Sequence, residues 1–283
     1  MGLADLFALV DKVRSNTVVK QFDFGKNWQA FSEQRVDTDR LVLACQSLHS
    51  LLQNDSLAGL SFLDVGCGSG LFSIAAYRLG ASRVVGIDVN PRCIEISQHN
   101  RDRLIPTSPI EFHIASALQP NQLERFGKFN IVYAWGSLHH SGSMWAAMRN
   151  IASCVAPGGV LILAIYNKHI TSPLWKLIKQ FYNQVPGIVQ RVMILLFAGV
   201  IYIAKFLLTR RNPLKKERGM DFWFDVIDWI GGYPYEYATS HEVKTFVTSR
   251  GFELRRLIPA SIPTGCNEFV FEKQVGANVS VVE

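Results

Sequence analysis

Ser61-Phe-Leu-Asp-Val-Gly-Cys-Gly-Ser-Gly-Leu-Phe72 is followed, eighteen residues after its last glycine, by Asp88 in Val84-Val-Gly-Ile-Asp-Val-Asn-Pro91. Leu60 to Val65 has the pattern of a buried strand, Gly66 to Gly70 that of a tight turn, and Leu71 to Leu79 that of a helix whose first turn faces whatever the turn holds. Glycine lets backbone approach a bound molecule with no Cβ in the way. Asp88 ends the next strand, where a carboxylate can accept both hydroxyls of a ribose. Asn90 is placed to cap the following helix, with Pro91 at its first position, where a missing N–H costs nothing. The stretch predicts a nucleoside-binding turn at the edge of a doubly wound sheet.

Dinucleotide sites also pair a glycine turn with a downstream acid, but they use Gly-x-Gly-x-x-Gly and keep room for a pyrophosphate at the helix N-terminus. Here the spacing is Gly66-x-Gly68-x-Gly70, preceded by an acid, Asp64. This arrangement resembles motif I of class I S-adenosylmethionine-dependent methyltransferases. With the Gly86-Ile-Asp88 strand end and the Leu138-His-His140 segment, the chain is similar to the ubiquinone-biosynthesis O-methyltransferase-like group, although these features are widely shared. The resemblance implies S-adenosyl-L-methionine as cofactor and an enzyme that transfers its methyl group. It places the methionine moiety in the Gly66-Cys-Gly-Ser-Gly70 turn, the ribose at Asp88 and the adenine amino group near Ser116, with Asp64, Gly66, Cys67, Gly68, Gly70, Val89, Ala117 and Trp135 among the cofactor-binding candidates. Ser116 stands where the family usually has an acid for the adenine amino group, and a serine is the weaker acceptor.

Strand and helix patterns alternate after residue 60, as an α/β doubly wound sheet requires. Candidate strands are 61–66, 83–88, 110–115, 129–134, 160–165, 252–257 and 268–272, the seven expected of a Rossmann-like, mostly parallel methyltransferase sheet. Residues 56–166 and 241–274 would form this core. Residues 1–55 would form an N-terminal helical cap, 167–240 a helical insertion after strand five on the substrate side, and 275–283 a flexible tail. In the cap, Phe22-Asp-Phe-Gly-Lys-Asn-Trp-Gln-Ala-Phe31 offers Phe24, Lys26 and Trp28 as a flap over the cofactor, since stacked rings exclude water and attract a sulfonium cation. Packing of these aromatics on the sheet edge is the alternative. In the insertion, Val192 to Ala204 carries no charge and Phe206-Leu-Leu208 prolongs it beyond Lys205. It falls short of the roughly twenty apolar residues that span a bilayer. A buried lid helix and an interfacial helix meeting lipid through residues 192–208 are both open. The mixture of aromatics and acids from Met220 to Glu236 suits a substrate pocket wall.

The net charge of +6 permits nucleic acid or an anionic membrane as a partner without requiring either. Five cysteines without a Cys-x-x-Cys suggest neither disulfides nor zinc, and no metal-ligand cluster is read. The beginning of the chain lacks a basic leader, so a cytoplasmic location, peripheral to a membrane if the insertion meets lipid, is expected.

Methyl transfer is an in-line displacement that rests on alignment, and an oxygen nucleophile can also need its proton removed. Tyr133-Ala-Trp-Gly-Ser-Leu-His-His140 follows strand four at the edge where such sheets bind ligands, so His139 and His140 are candidate bases, with Tyr166 next. A structural role for the histidines, holding the loop, is the alternative. The favoured acceptor is a small or lipid-linked molecule bearing a hydroxyl. RNA modification is the second possibility, and a non-catalytic cofactor-binding subunit the third. The family segment that marks exocyclic base methylation is missing after strand four, so nucleic acid is disfavoured. Oligomeric state is not encoded in any feature noted.

Overall fold

The computed structural model describes residues 22–54, 56–210, 212, 214 and 222–276. Seven strands form one sheet in the order β3-β2-β1-β4-β5-β7-β6: β1 Ser61–Val65, β2 Arg83–Asp88, β3 Glu111–Ile114, β4 Phe129–Trp135, β5 Val155–Tyr166, β6 Phe252–Ile258 and β7 Cys266–Lys273. The first five run parallel, and β7 is antiparallel to both β5 and β6. The strand order reverses between β1 and β4, which opens a crevice beyond their carboxyl ends.

Alternation along β1 puts the two faces of the sheet in different cores. Phe62 packs with α2 (Thr38–Leu52), α3 (Leu71–Arg78) and α4 (Pro91–Leu104), through Leu41, Leu48, Ile74 and Ile94. Leu63 and Val65 point the other way, toward Met148 and Ile151 of α6 (Met144–Ser153), in a core that also holds Val243 and Val247 of α10 (Ser240–Thr248). A short α5 (Pro120–Glu124) lies between β3 and β4. Local capping is in place, at Asn90 as expected and also before α10. Asn90 Oδ1 accepts from Arg92 N at 3.0 Å, and Thr239 and Glu242 form a reciprocal capping box.

Elsewhere the structure departs from the sequence pattern. Ser143 precedes α6 without a capping hydrogen bond. The Glu236 carboxylate accepts from Met144 N instead, at 3.0 and 3.2 Å, so the cap comes from the insertion, ninety residues on. β5 begins at Val155, not Val160. The aromatic stretch after Phe22 is helical, α1 (Phe24–Arg35), with Asp23 accepting from Lys26 N. α2 packs into the core against the sheet, and among the described N-terminal residues α1 and the two residues before it, Phe22 and Asp23, reach the ligand edge.

The insertion folds as α7 (Ser172–Gln184), α8 (Gly187–Thr209) and α9 (Phe222–Gly231) around a small core of Tyr182, Ala198, Ile201, Val226 and Ile230. The apolar run that is too short to span in sequence lies inside a 23-residue helix. Gly187–Ala204 is long and apolar enough to cross a membrane, because Ile188 and Val189 extend the run toward the N-terminus. A lid helix buried all round is also excluded: only about one residue in nine of that stretch is buried.

Candidate active site

The glycine turn is held from behind. Gly66 N and Cys67 N both donate to Ile87 O, at 2.7 and 3.0 Å, which ties the turn to the end of β2. From α4, Ser97 Oγ donates to Gly68 O at 3.1 Å and Asn100 Nδ2 to Ser69 O at 2.9 Å. Gly66 and Gly68 have φ of +75° and +55°, in the left-handed region. A Cβ on Gly66 would lie 2.4 Å from Ser137 Cβ, and one on Gly68 would lie 2.8 Å from the Trp28 ring, so no side chain fits between turn, β4 loop and α1. Gly70 differs: its Cβ would meet Ser97 and Phe112, away from any ligand, so it serves packing.

Two carboxylates flank the turn. Asp88 accepts from Gly68 N at 3.1 Å and from Asn90 N at 2.9 Å, one bond to each oxygen, which leaves further lone pairs on both. Burial raises its pKa against these hydrogen bonds. Asp64 is buried beneath the turn and accepts from Ser73 Oγ at 2.7 Å, and burial pushes its carboxyl up to about 7.

A single cavity of about 1650 Å³ runs from this turn to the insertion. Near the turn it is lined by Asp64, Gly66, Cys67, Asp88, Val89, Ser116, Ala117 and Trp135. Ser116 Oγ accepts from Leu118 N at 3.1 Å, which fixes its position. At the far end the walls are His139, His140, Tyr166, Asp225, Asp228 and Tyr233, while Phe24 and Trp28 of α1 close the side. Trp28 thus covers the turn, and the Phe24 ring sits 4.8 Å from His140, at the middle of the cavity. Lys26 does not belong to this set: its side chain is 73% exposed, near Asp23, and does not line the cavity. The helical phase of α1 explains the correction, since Phe24 and Trp28 share one face and Lys26 lies half a turn away.

His139 and His140 are brought together on a 3₁₀ turn, rings 4.5 Å apart, and the Tyr166 ring at the end of β5 lies 4.0 Å from that of His139, tilted by 40°. His139 is buried and His140 is half-buried. Burial, with His140 and Lys179 nearby, holds His139 well below the usual imidazole range, and burial with Lys179 pushes His140 down to about 3. His140 is therefore neutral at physiological pH. Its Nδ1 lies 2.7 Å from Pro234 O, a pure acceptor, so Nδ1 carries the proton and Nε2 is the basic nitrogen. Burial raises the Tyr166 hydroxyl well above its ordinary value.

Two residues absent from the sequence expectations complete this end. Asp228 of α9 is half-buried in the cavity wall, and desolvation there pushes its carboxyl up to about 7; Asn27 of α1 donates to its Oδ1 at 2.6 Å. Lys179 of α7 is buried, pushed down to about 7, donates to Trp229 O and lies 4.8 Å from the Tyr235 ring centre. Both belong to stretches where they look like the polar face of an amphipathic helix. Only the fold reveals that this face turns inward. Among the described residues no cluster fit for a metal ion occurs.

A seven-stranded sheet with β7 reversed, a glycine turn after β1 and an acid ending β2 define a class I S-adenosylmethionine-dependent methyltransferase. The chain belongs to the family described as "Methyltransferase domain", whose model matches residues 36–256. It is 38% identical over 105 residues to the ribosomal protein L11 methyltransferase of Aeromonas hydrophila, and 46% over 105 residues to that of Aeromonas salmonicida, covering 37% of this chain and 35% of theirs. The chain thus spans about a third of the length of these curated relatives. Among solved structures, the magnesium protoporphyrin IX methyltransferase of Synechocystis with bound S-adenosylhomocysteine shares the fold at a TM-score of 0.54 and 16% identity, covering 88% of this chain and 94% of that one. An O-methyltransferase family protein of Burkholderia thailandensis does so at 0.56 and 12%, covering 88% and 60%.

Proposed function

We propose that the chain transfers a methyl group from S-adenosylmethionine to a hydroxyl oxygen of a small or lipid-linked acceptor. The observation that carries this is the single cavity joining the glycine turn to a buried polar end. Ligand pockets commonly measure about 300–1000 Å³, so this one has room for two molecules side by side. The cofactor fits the turn end: Asp88 presents acceptors for a ribose diol, and the two glycines leave a cradle that any Cβ would fill. Bound there, S-adenosylmethionine supplies an electrophilic methyl group on its sulfonium. Asp64, Cys67, Val89, Ser116, Ala117 and Trp135 would shape the rest of that end.

At the other end the chain's task is to hold the acceptor hydroxyl in line and to take its proton. His140 is oriented for this by Pro234, but a base with a pKa near 3 is poorly matched to neutral pH. Asp228, poised near 7, is better matched, and Asn27 keeps its carboxyl directed into the cavity. We therefore assign proton removal to Asp228, and orientation of the acceptor to His139, His140 and Tyr166. The core 56–166 and 241–274 would then bind cofactor with Trp28 of α1 closing over it, while Phe24 and Asn27 of α1 and the insertion 167–240 would build the acceptor end.

A protein acceptor is the second reading, favoured by the name of the ribosomal protein L11 methyltransferases. Incubation with S-adenosylmethionine labelled in the methyl group, together with lipid, water-soluble and protein fractions of a cell extract, separates the two. Alkali-stable label in a non-protein fraction supports the hydroxyl acceptor. Label confined to precipitated protein refutes it.

A further inference from the structure

One side of α8 packs inward through Ala198 and Ile201 onto α9. The opposite side carries Ile188, Val192, Leu195, Leu196, Val200 and Ile203, each between 51 and 68% exposed. Their spacing of three and four residues makes a continuous stripe along a helix about 34 Å long. α7 adds Leu174, Leu177 and Phe181, also exposed. Single exposed apolar residues are ordinary on soluble proteins, whereas a stripe along the length of one helix, with further exposed apolar residues on the helix packed beside it, marks a surface that something covers.

Charge identifies what covers it. Residues 168–218 contain ten lysines and arginines and one acid, Glu217, so the chain's net charge of +6 comes entirely from this segment and the remainder is net acidic. Lys176, Arg191 and Arg210 are exposed beside the stripe. A second copy set face to face would oppose two basic segments. A bilayer containing anionic lipid offers both complements at once: acyl chains for the stripe and negative headgroups for the cations. The fold also sets the orientation. α8 packs on α7 and α9, and α9 packs on α1, which ties the helix to the domain and suits a helix lying in the plane of the surface.

We propose that the outer face of α7 and α8 docks the enzyme in the plane of a bilayer rich in anionic lipid. Docking of this kind is independent of which acceptor is methylated. The full chain should sediment with phosphatidylcholine vesicles doped with phosphatidylglycerol about tenfold more strongly than with phosphatidylcholine alone, and added salt should weaken the binding. Leu195→Glu/Leu196→Glu/Val200→Glu should abolish sedimentation while leaving the thermal unfolding midpoint near wild type, since these side chains touch solvent. If that variant fails to fold, Lys176→Glu/Arg210→Glu provides the second test, with the preference for anionic vesicles lost. Wild-type protein that stays in the supernatant with both vesicles overturns the proposal. So does a wild-type dimer that the triple substitution converts to a monomer, which would assign the stripe to a second copy.

Discussion

Adding one methyl group at Gly66 tests whether the turn geometry holds the cofactor. At a φ of +75° an alanine pays the left-handed penalty of about 1–2 kcal/mol. Its Cβ would also lie 2.4 Å from Ser137 Cβ and 2.9 Å from Ser137 Oγ. Ser137 must then move, and its hydroxyl loses the 2.7 Å bond to Val65 O that fastens the β4 loop to the end of β1, at about 0.5–1.5 kcal/mol. Together these come to about 1.5–3.5 kcal/mol, concentrated where the ligand sits. With the strain expressed as lost binding, affinity for S-adenosylhomocysteine should fall about 10- to 400-fold, read by calorimetric titration. Gly59→Ala is the matched control. Its φ is +78° but nothing lies within 4 Å of the added Cβ, and it does not line the cavity, so it should cost stability and leave affinity unchanged. Equal affinity in Gly66→Ala and wild type would refute the role given to the turn.

Trp28→Ala should weaken S-adenosylhomocysteine binding by about 1 kcal/mol or more through loss of the ring over Gly68, whereas Lys26→Ala should leave it unchanged; the reverse ranking in the same titration would return Lys26 to the site. Asp228→Asn should lower turnover about 100-fold with little change in cofactor affinity, and should remove a rise in wild-type kcat centred near pH 7. A retained inflection would move the base elsewhere. The same residue links stability to pH. Its folded pKa is raised, so the folded state favours the protonated form, and stability is full below the unfolded carboxylate pKa and declines as pH rises toward 7. Urea unfolding should therefore show Asp228→Asn more stable than wild type at about pH 8, with the advantage shrinking at about pH 5; an advantage that grows toward acid would contradict the shift.

Where sequence order and spatial order coincide, the structure follows from the chain directly. The glycine turn, Asp88, the Asn90 cap and the Thr239–Glu242 box depend on residues a few positions apart, and each was legible. All seven strands were too, because a sheet buried on both faces leaves apolar runs between turn signals. What could not be read depends on contacts across long separations. The Met144 N–H is capped by Glu236, Asn27 holds Asp228 across 201 positions, and Trp28 covers Gly68. The aromatic stretch of α1 is legible as a flap, but not its helical form, which depends on packing against α4 and α9. In α7 the charge of Lys179 turns inward, while Leu174, Leu177 and Phe181 of the same helix face solvent. That inversion makes sense only if another apolar phase supplies the missing half of the core.

Titration of S-adenosylhomocysteine into wild-type protein and Asp88→Ala tests the central claim most directly. Wild type should bind at one site. Asp88→Ala, which removes a carboxylate able to accept from a ribose diol, should bind about 10- to 150-fold more weakly, the cost of about 1.5–3 kcal/mol for a charged hydrogen-bond partner. Wild-type protein that binds NAD and no adenosyl sulfur ligand, or an Asp88→Ala variant that binds as tightly as wild type, would contradict it.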